Sequence, residues 1–314
     1  MLRFDDGQQM ALKLCKNAFS SRERISGWQR LCKHYASLGI YCPQVLDSRN
    51  HNPSETIAYE GENYVVYGEE LAEYTSMDDY VPKLSYDAMR PDIIKSLGIV
   101  ASNATFLLPW PSVYRLYDPF DADDETDEYY ERAEEFVKTI HDQLPQYDAY
   151  AQKIWTLFLQ KRETFEPIYR ALPHASFQSD LNPTNIQVND EGQFVGLIDF
   201  NLSGTSCVLH TILLPDACTY RLNDAVLERI NTKGFYDACD AFMYQNLAIF
   251  NQHYRFSDLE RAHFCLCYNV TVPFAHYMNN HMLQYALKVN KAAYVEAILD
   301  WTYFQMSRDD LMLD

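Results

Sequence analysis

The sequence predicts an α+β fold in two lobes, a small β-rich lobe first and a large, mostly helical lobe after it. Three observations carry that expectation. Apolar residues form short strand-like runs over the first seventy positions and recur at helical spacing after Glu70. The strand signal returns briefly in Asn185–Val188 and Val195–Phe200, around the turn Asn189-Asp190-Glu191-Gly192. Charge is also divided unevenly. Residues 1–70 hold 8 Lys and Arg against 9 Asp and Glu, whereas residues 71–314 hold 18 against 35. The expected lobes are therefore 1–70 and 71–314.

Leu2–Leu14 reads as a hairpin around Asp5-Asp6-Gly7-Gln8, because Asp-Gly favours a tight turn. A helix follows. Ser20-Ser21-Arg22-Glu23 resembles a capping box, and Ile25, Trp28, Leu31, Cys32, Tyr35 and Leu38 recur at helical spacing. Gly39 should end it. Pro43–Leu46 is extended, and Ile57–Tyr59 should pair with Tyr64–Tyr67 across Glu60-Gly61-Glu62-Asn63. Amphipathic helices are expected over Asp92–Leu107, Asp127–Leu144 and Ala149–Leu172. A closing helical set should span Ala217–Ile230, Phe235–Phe250, Leu259–Val289 (interrupted at Pro273) and Lys291–Met306. The acidic run Asp121–Glu135 fits a solvated loop leading into a helix N-terminus, where anions are welcome.

Composition narrows the function. Of 314 residues, 47% are hydrophobic and 14% aromatic, which suits a chain that buries a core. No apolar run approaches the ~20 residues of a membrane span, and MLRFDDGQQM lacks a signal-peptide core. The eight cysteines are scattered without a CxxC, so they read as small apolar thiols of a cytoplasmic protein. A net charge of −18 argues against a nucleic-acid partner. The nine histidines show no HExxH, and His276 and His281 lie five apart, a poor spacing for one helix face.

The most informative stretch is His174–Asn201, HASFQSDLNPTNIQVNDEGQFVGLIDFN. It holds Asp180, Asn185 five positions on, and Asp199 in the apolar run Leu197–Phe200. One carboxylate that can orient a hydroxyl, with an amide and a second carboxylate that can hold a hard cation, is the equipment of phosphoryl transfer.

These residues resemble the aminoglycoside phosphotransferase-related small-molecule kinases, which share the protein-kinase-like fold. That family's catalytic loop reads roughly H-G-D-x-x-x-x-N, and its metal motif reads I-D-[FW]. Here they stand as Gln178-Ser179-Asp180-Leu181-Asn182-Pro183-Thr184-Asn185 and Ile198-Asp199-Phe200. The resemblance implies a nucleotide-binding lobe at 1–70 and a catalytic, acceptor-binding lobe at 71–314. It implies that Asp180 accepts or orients the proton of the acceptor hydroxyl, and that Asn185 and Asp199 bind Mg²⁺. Lys13 sits where the family's nucleotide-phosphate lysine lies. Tyr67–Leu71 ends the last strand of the small lobe, so the backbone of Glu69, Glu70 and Leu71 would meet the base of ATP or GTP. The partner would be a small-molecule acceptor, and the excess of carboxylates in residues 71–314 favours a cationic one, such as an amino sugar or amino alcohol. Asp216, Asp237, Asp240, Tyr268 and Trp301 are candidates for holding it.

The chain departs from the family pattern in three places. The loop's histidine and glycine are Gln178 and Ser179. The helix glutamate that should pair with Lys13 is absent: the matching position falls near Trp28, Glu23 lies too early, and Gln29 could only hydrogen-bond. The chain also starts at what resembles the family's second strand, with no counterpart of the first strand and glycine-rich loop before Lys13. Either the N-terminus is truncated or nucleotide binds under an open roof. These departures leave a second reading, a catalytically idle kinase-like binding or scaffold protein.

Overall fold

Short β-branched and aromatic runs near the N-terminus pair into an antiparallel sheet. The computed structural model describes residues 1–3, 9–17, 19–121, 123–217 and 223–313. They divide into two compact units. One comprises Met1–Val113, Pro119–Glu125 and Ala175–Thr205; the other comprises Tyr114–Asp118, Thr126–His174 and Ser206–Asp314.

The first unit carries β1 (Leu2–Arg3), β2 (Gln9–Cys15), β3 (Val45–Leu46), β4 (Glu55–Tyr59) and β5 (Glu62–Glu70). Their order is β1-β2-β5-β3, with β4 also paired to β5. The strands of the expected first hairpin pair as Leu2↔Met10 and Arg3↔Gln9, while its turn lies outside the described residues. The β4–β5 turn is tighter than expected. Only Glu60 and Gly61 connect the strands, with φ of 51° and 81°, the left-handed pair that matches the twist of a two-residue hairpin.

Helix α1 (Arg22–Ser37) buries the expected face of Ile25, Trp28, Leu31, Cys32 and Tyr35. Its cap differs from the expected box. Ser21 is the N-cap and accepts the Arg24 N–H, so Glu23 sits one position short of reaching back to the cap. A reciprocal box forms instead at Ser257 and Glu260. Beyond β6 (Thr75–Ser76), helix α2 covers Tyr86–Ser102, with Ser85 as its cap. It stops five residues before the expected Leu107, because the chain there turns to hydrogen-bonding elsewhere. The Leu108 N–H donates to Ser176 Oγ at 2.8 Å, the Trp110 indole to Ser203 O at 3.0 Å, and the Ser112 N–H to Thr205 O at 3.1 Å. The short strands β7 (His174–Phe177) and β10 (Gly204–Cys207) pair with each other, and β8 (Ile186–Val188) and β9 (Phe194–Leu197) join β6 as β6-β8-β9.

The second unit is helical. It holds α3 (Glu128–Gln143), α4 (Asp148–Ala171), α5 (Val208–Ala217), α6 (Asp224–Leu227), α7 (Lys233–Asn251), α8 (Asp258–Thr271), α9 (Met278–Val289) and α10 (Ala292–Ser307). The expected helix over Ala217–Ile230 is corrected to α5, which starts nine residues earlier in the chain, and the short α6; residues 218–222 lie outside the described set. Helix α5 escaped sequence analysis because Val208, Leu209, His210, Thr211, Ile212 and Leu213 are all buried. A helix with no polar face shows no amphipathic period. Pro273 does divide α8 from α9, and His276 and Tyr277 take left-handed φ of 50° and 57° at the join. Among the described residues, no helix is long and apolar enough to cross a membrane. The described cysteines, at 15, 32, 42, 207, 239, 265 and 267, are free thiols.

His210 sits in this core, its ring nitrogens 2.9 Å from Tyr129 Oη and 3.2 Å from Ser206 Oγ. Burial pushes its pKa down to about 3, and burial likewise pushes His276 down to about 4. The folded chain therefore holds neutral imidazoles that take up a proton near pH 6.5 once unfolded. Their contribution to stability is complete above that pH and is lost as the pH falls toward the folded values. Urea midpoints measured at pH 7 and pH 5 should drop less in His210→Gln than in the unaltered chain.

Candidate active site

The loop after β7 places Asp180. Its Oδ1 accepts from Asn182 Nδ2 at 2.7 Å, and its Oδ2 accepts from Asn185 Nδ2 at 2.9 Å. Asn185 also donates to Asp180 O at 3.0 Å, so the aspartate and the asparagine five residues later close a small ring. The turn is held from within: the Asn185 N–H donates to Asn182 O at 3.0 Å and the Thr184 N–H to Asn182 Oδ1 at 3.0 Å. Half-burial pushes the Asp180 carboxyl above its ordinary range; the two asparagines oppose this and Asp199 reinforces it.

Asp199 ends the apolar run in a left-handed conformation, φ 57° and ψ 78°. Aspartate tolerates that region better than most residues, at a cost of about 1–3 kcal/mol. Its position is set by β9. The Ile198 N–H donates to Asn185 O, and Tyr41 brackets the strand with Tyr41 N→Val195 O and Leu197 N→Tyr41 O, each 2.9 Å. Gly196 makes that approach possible, since a Cβ there would stand 1.9 Å from Tyr41 O. Gly196→Ala should therefore cost about 1–3 kcal/mol of stability through overpacking, read as a lower urea midpoint with an unchanged slope.

Gln178 joins the two loops. Its buried side-chain amide donates to Asp180 O at 3.0 Å, Ile198 O at 3.0 Å and Asp199 O at 3.1 Å. One nitrogen thus gathers the carbonyls of both aspartates. Its own N–H donates to Tyr35 Oη of α1 at 3.0 Å, and the Tyr35 ring packs edge-on against Phe200 at 5.2 Å. By sequence Gln178 is a departure from the motif and Tyr35 an apolar-face residue; in the fold they brace both loops.

Lys13 completes the cluster. Its Nζ lies 2.9 Å from Glu69 Oε2 and 3.3 Å from Asp199 Oδ1. Burial alone would lower the Lys13 pKa, but the Glu69 and Asp199 carboxylates more than offset it and the group stays firmly protonated. Burial raises Glu69, with Lys13 opposing and Asp199 adding to the rise. The missing helix acid is thus answered from the sheet. Lys13↔Tyr67 and Ala11↔Glu69 are register pairs, so Lys13 and Glu69 share one face as diagonal neighbours. The signal lies in the strands rather than in the helix, since residues two apart on a strand share a face. Trp28 instead packs on Tyr67, 5.8 Å between ring centroids. Gln29 turns away to Val45 O and Asp47 Oδ1.

At the end of β5 the backbone is largely engaged. Glu69 is flanked by Ala11 and Val45, and the Glu70 N–H donates to Gln44 O at 3.0 Å while Glu70 Oε2 accepts the Gln44 N–H. Leu71 follows the strand.

The sequence pattern of the phosphotransferase enzyme family, APH, matches residues 2–210, from β1 into α5. The chain belongs to this family. It is a small-molecule kinase by that membership, and the small sheet with its helical companion unit is the architecture of the family's protein-kinase-like fold. No curated protein sequence matches it significantly. Among solved structures, it is similar to amicoumacin kinase hAmiN in complex with AMP-PNP, Ca²⁺ and Ami, with 15% identity, a TM-score of 0.52, and coverage of 96% of this chain and 84% of that one. It is also similar to a microcompartment-associated aminopropanol kinase, with 12% identity, a TM-score of 0.48, and coverage of 94% and 83%. A third is the choline kinase LicA from Streptococcus pneumoniae, with 12% identity, a TM-score of 0.42, and coverage of 94% and 86%.

The APH-family acceptor candidates fare unevenly. Tyr268 and Trp301 are buried, Trp301 against Phe235 and Tyr236. Asp240 pairs with Arg308 at 2.8 Å and Asp237 with Lys233 at 2.6 Å. The Asp216 side chain lies outside the described residues. Four of the five are thus taken up by packing or ion pairs.

Proposed function

We propose that this kinase transfers the γ-phosphoryl group of ATP or GTP to a hydroxyl of a small cationic molecule, with Asp180 as the group that orients the hydroxyl and accepts its proton. The observation that carries the reading is the shared Gln178 amide, which supports drawing Asp180, Asn185 and Asp199 around one phosphoryl group. An idle scaffold has no chemical need for three such residues held together.

Magnesium fits the donor set. Asp199 and Asn185 offer the oxygen ligands a hard cation takes, and the Lys13 ammonium at 3.3 Å indicates that the Asp199 carboxylate faces a position that accepts positive charge. Among the described residues, no group of three or more His, Cys, Asp or Glu could hold a metal. A magnesium ion here would thus take its other ligands from nucleotide phosphates and water. When bound, it neutralises the charge that builds on the transferred group. Lys13 would hold a phosphate oxygen, and the backbone at Leu71, just past the engaged Glu69 and Glu70, would meet the base. Asn185 holds the Asp180 carboxylate toward the acceptor, and the half-burial of that carboxylate makes it a readier base than a solvated one. The acceptor's positive charge is supported by the carboxylate excess of residues 71–314.

Phosphate transfer from ATP and GTP should be measured over a panel of amino alcohols, amino sugars, neutral alcohols and anionic alcohols. Turnover of amines in preference to the rest is expected. Silence across the whole panel would return the scaffold reading, and preference for anions would overturn the charge argument.

A further inference from the structure

Lys13 is shared between two carboxylates of unequal burial. Glu69 is carried on a strand paired on both sides, and its side chain is 17% exposed. Asp199 stands on a left-handed turn and is 37% exposed. Among the described residues, only these two acids form ion pairs with Lys13. The helix that would offer an acid in the resembling kinases offers Trp28, whose ring backs Tyr67, and the Tyr67 ring in turn lies 5.7 Å from Lys13 Nζ.

We propose that Glu69 is the positioning residue of Lys13, a strand carboxylate in place of a helix glutamate, and that it works by competing with Asp199 for the Lys13 ammonium. The proposal rests on the phosphotransfer reading above. Nucleotide entry requires Asp199 to exchange the ammonium for a metal–phosphate partner, and it requires Lys13 to turn toward phosphate. With Glu69 in place, the ammonium keeps a fixed partner through that exchange, and Asp199 is only half committed to it. Without Glu69, Lys13 and Asp199 satisfy each other alone. Separating a partly buried charge pair is costly until new partners stand on both sides, and metal and phosphate would have to displace both at once, so the pair would oppose nucleotide entry. Glu69 thus both aims Lys13 and keeps Asp199 available.

The test is calorimetric titration of the full chain with Mg·AMP-PNP. Glu69→Gln removes the charge at constant shape and should raise Kd about 10- to 100-fold, the range of a lost charge-assisted hydrogen bond. Glu69→Asp keeps the charge and should recover part of the affinity. In a Lys13→Met background, Glu69→Gln should add nothing, because a residue acting through Lys13 has nothing left to position. A merely structural Glu69 would cost the same in both backgrounds, and that result overturns the proposal. So does wild-type affinity in Glu69→Gln. If Glu69→Gln loses its cooperative thermal transition, the same cycle is run with Glu69→Asp, whose smaller loss must also vanish beside Lys13→Met. An unaltered chain that binds no AMP-PNP removes the phosphotransfer reading and this inference together, whereas binding by the unaltered chain with silent variants removes this inference alone.

Discussion

Asp180→Asn should lower kcat by about 10²–10⁴-fold while leaving nucleotide affinity nearly unchanged. The substitution is close to isosteric: one of the Asn182 and Asn185 amides loses its side-chain acceptor, but the other can still meet the new carbonyl and Asn185 keeps its bond to the residue 180 backbone carbonyl. Gln178 binds the Asp180 backbone carbonyl, so the loop keeps its main anchor. What disappears is an acceptor for the hydroxyl proton, which acts in the transition state. Steady-state kinetics with the best acceptor of the panel, together with AMP-PNP titration, separate the two effects. A parallel rise in nucleotide Kd would mean that the change had disturbed the fold of the site, and an unchanged kcat would remove Asp180 from catalysis.

The second large effect is expected at Asp199. Asp199→Asn should lower kcat/KM by roughly 10²–10³-fold, since a metal-held phosphoryl oxygen is worth several kcal/mol of transition-state stabilisation. Asparagine is the informative replacement because it tolerates the left-handed backbone that Asp199 adopts. Alanine would add strain and confuse the reading. The variant also frees Lys13 from one of its two carboxylates, so nucleotide affinity without magnesium should hold or improve while affinity with magnesium falls. Titrations with and without the metal test this; equal losses in both would argue that Asp199 acts through the fold rather than through a cation.

The site also shows how a departure from a family pattern can be repaired elsewhere. Gln178 replaces an imidazole with an amide, yet an amide nitrogen carries two protons, and here they reach three carbonyls. Where the helix offers Lys13 no acid, the sheet places the Glu69 carboxylate 2.9 Å from its ammonium.

By itself the sequence determined the elements whose signals are local. The short apolar strand segments within Leu2–Leu14 and Tyr64–Tyr67, the apolar face of α1 and the grouping of Asp180 with Asn185 all survive in the structure, because apolar runs, hydrophobic period and turn chemistry are properties of neighbouring residues. Only the tertiary structure decided the rest. The described side chains of helix α5, at 208–214, are all buried and so carry no period. Helix α2 ends at Ser102, and the chain farther on gives the Leu108 and Ser112 N–H groups to Ser176 and Thr205, partners that no local pattern announces. The pairing of Lys13 with Glu69 and Asp199 depends on strand register and on a loop 186 residues away. Electrostatic partners are chosen by distance in space, and a strand reveals which face a residue takes but not what stands opposite until the sheet has formed.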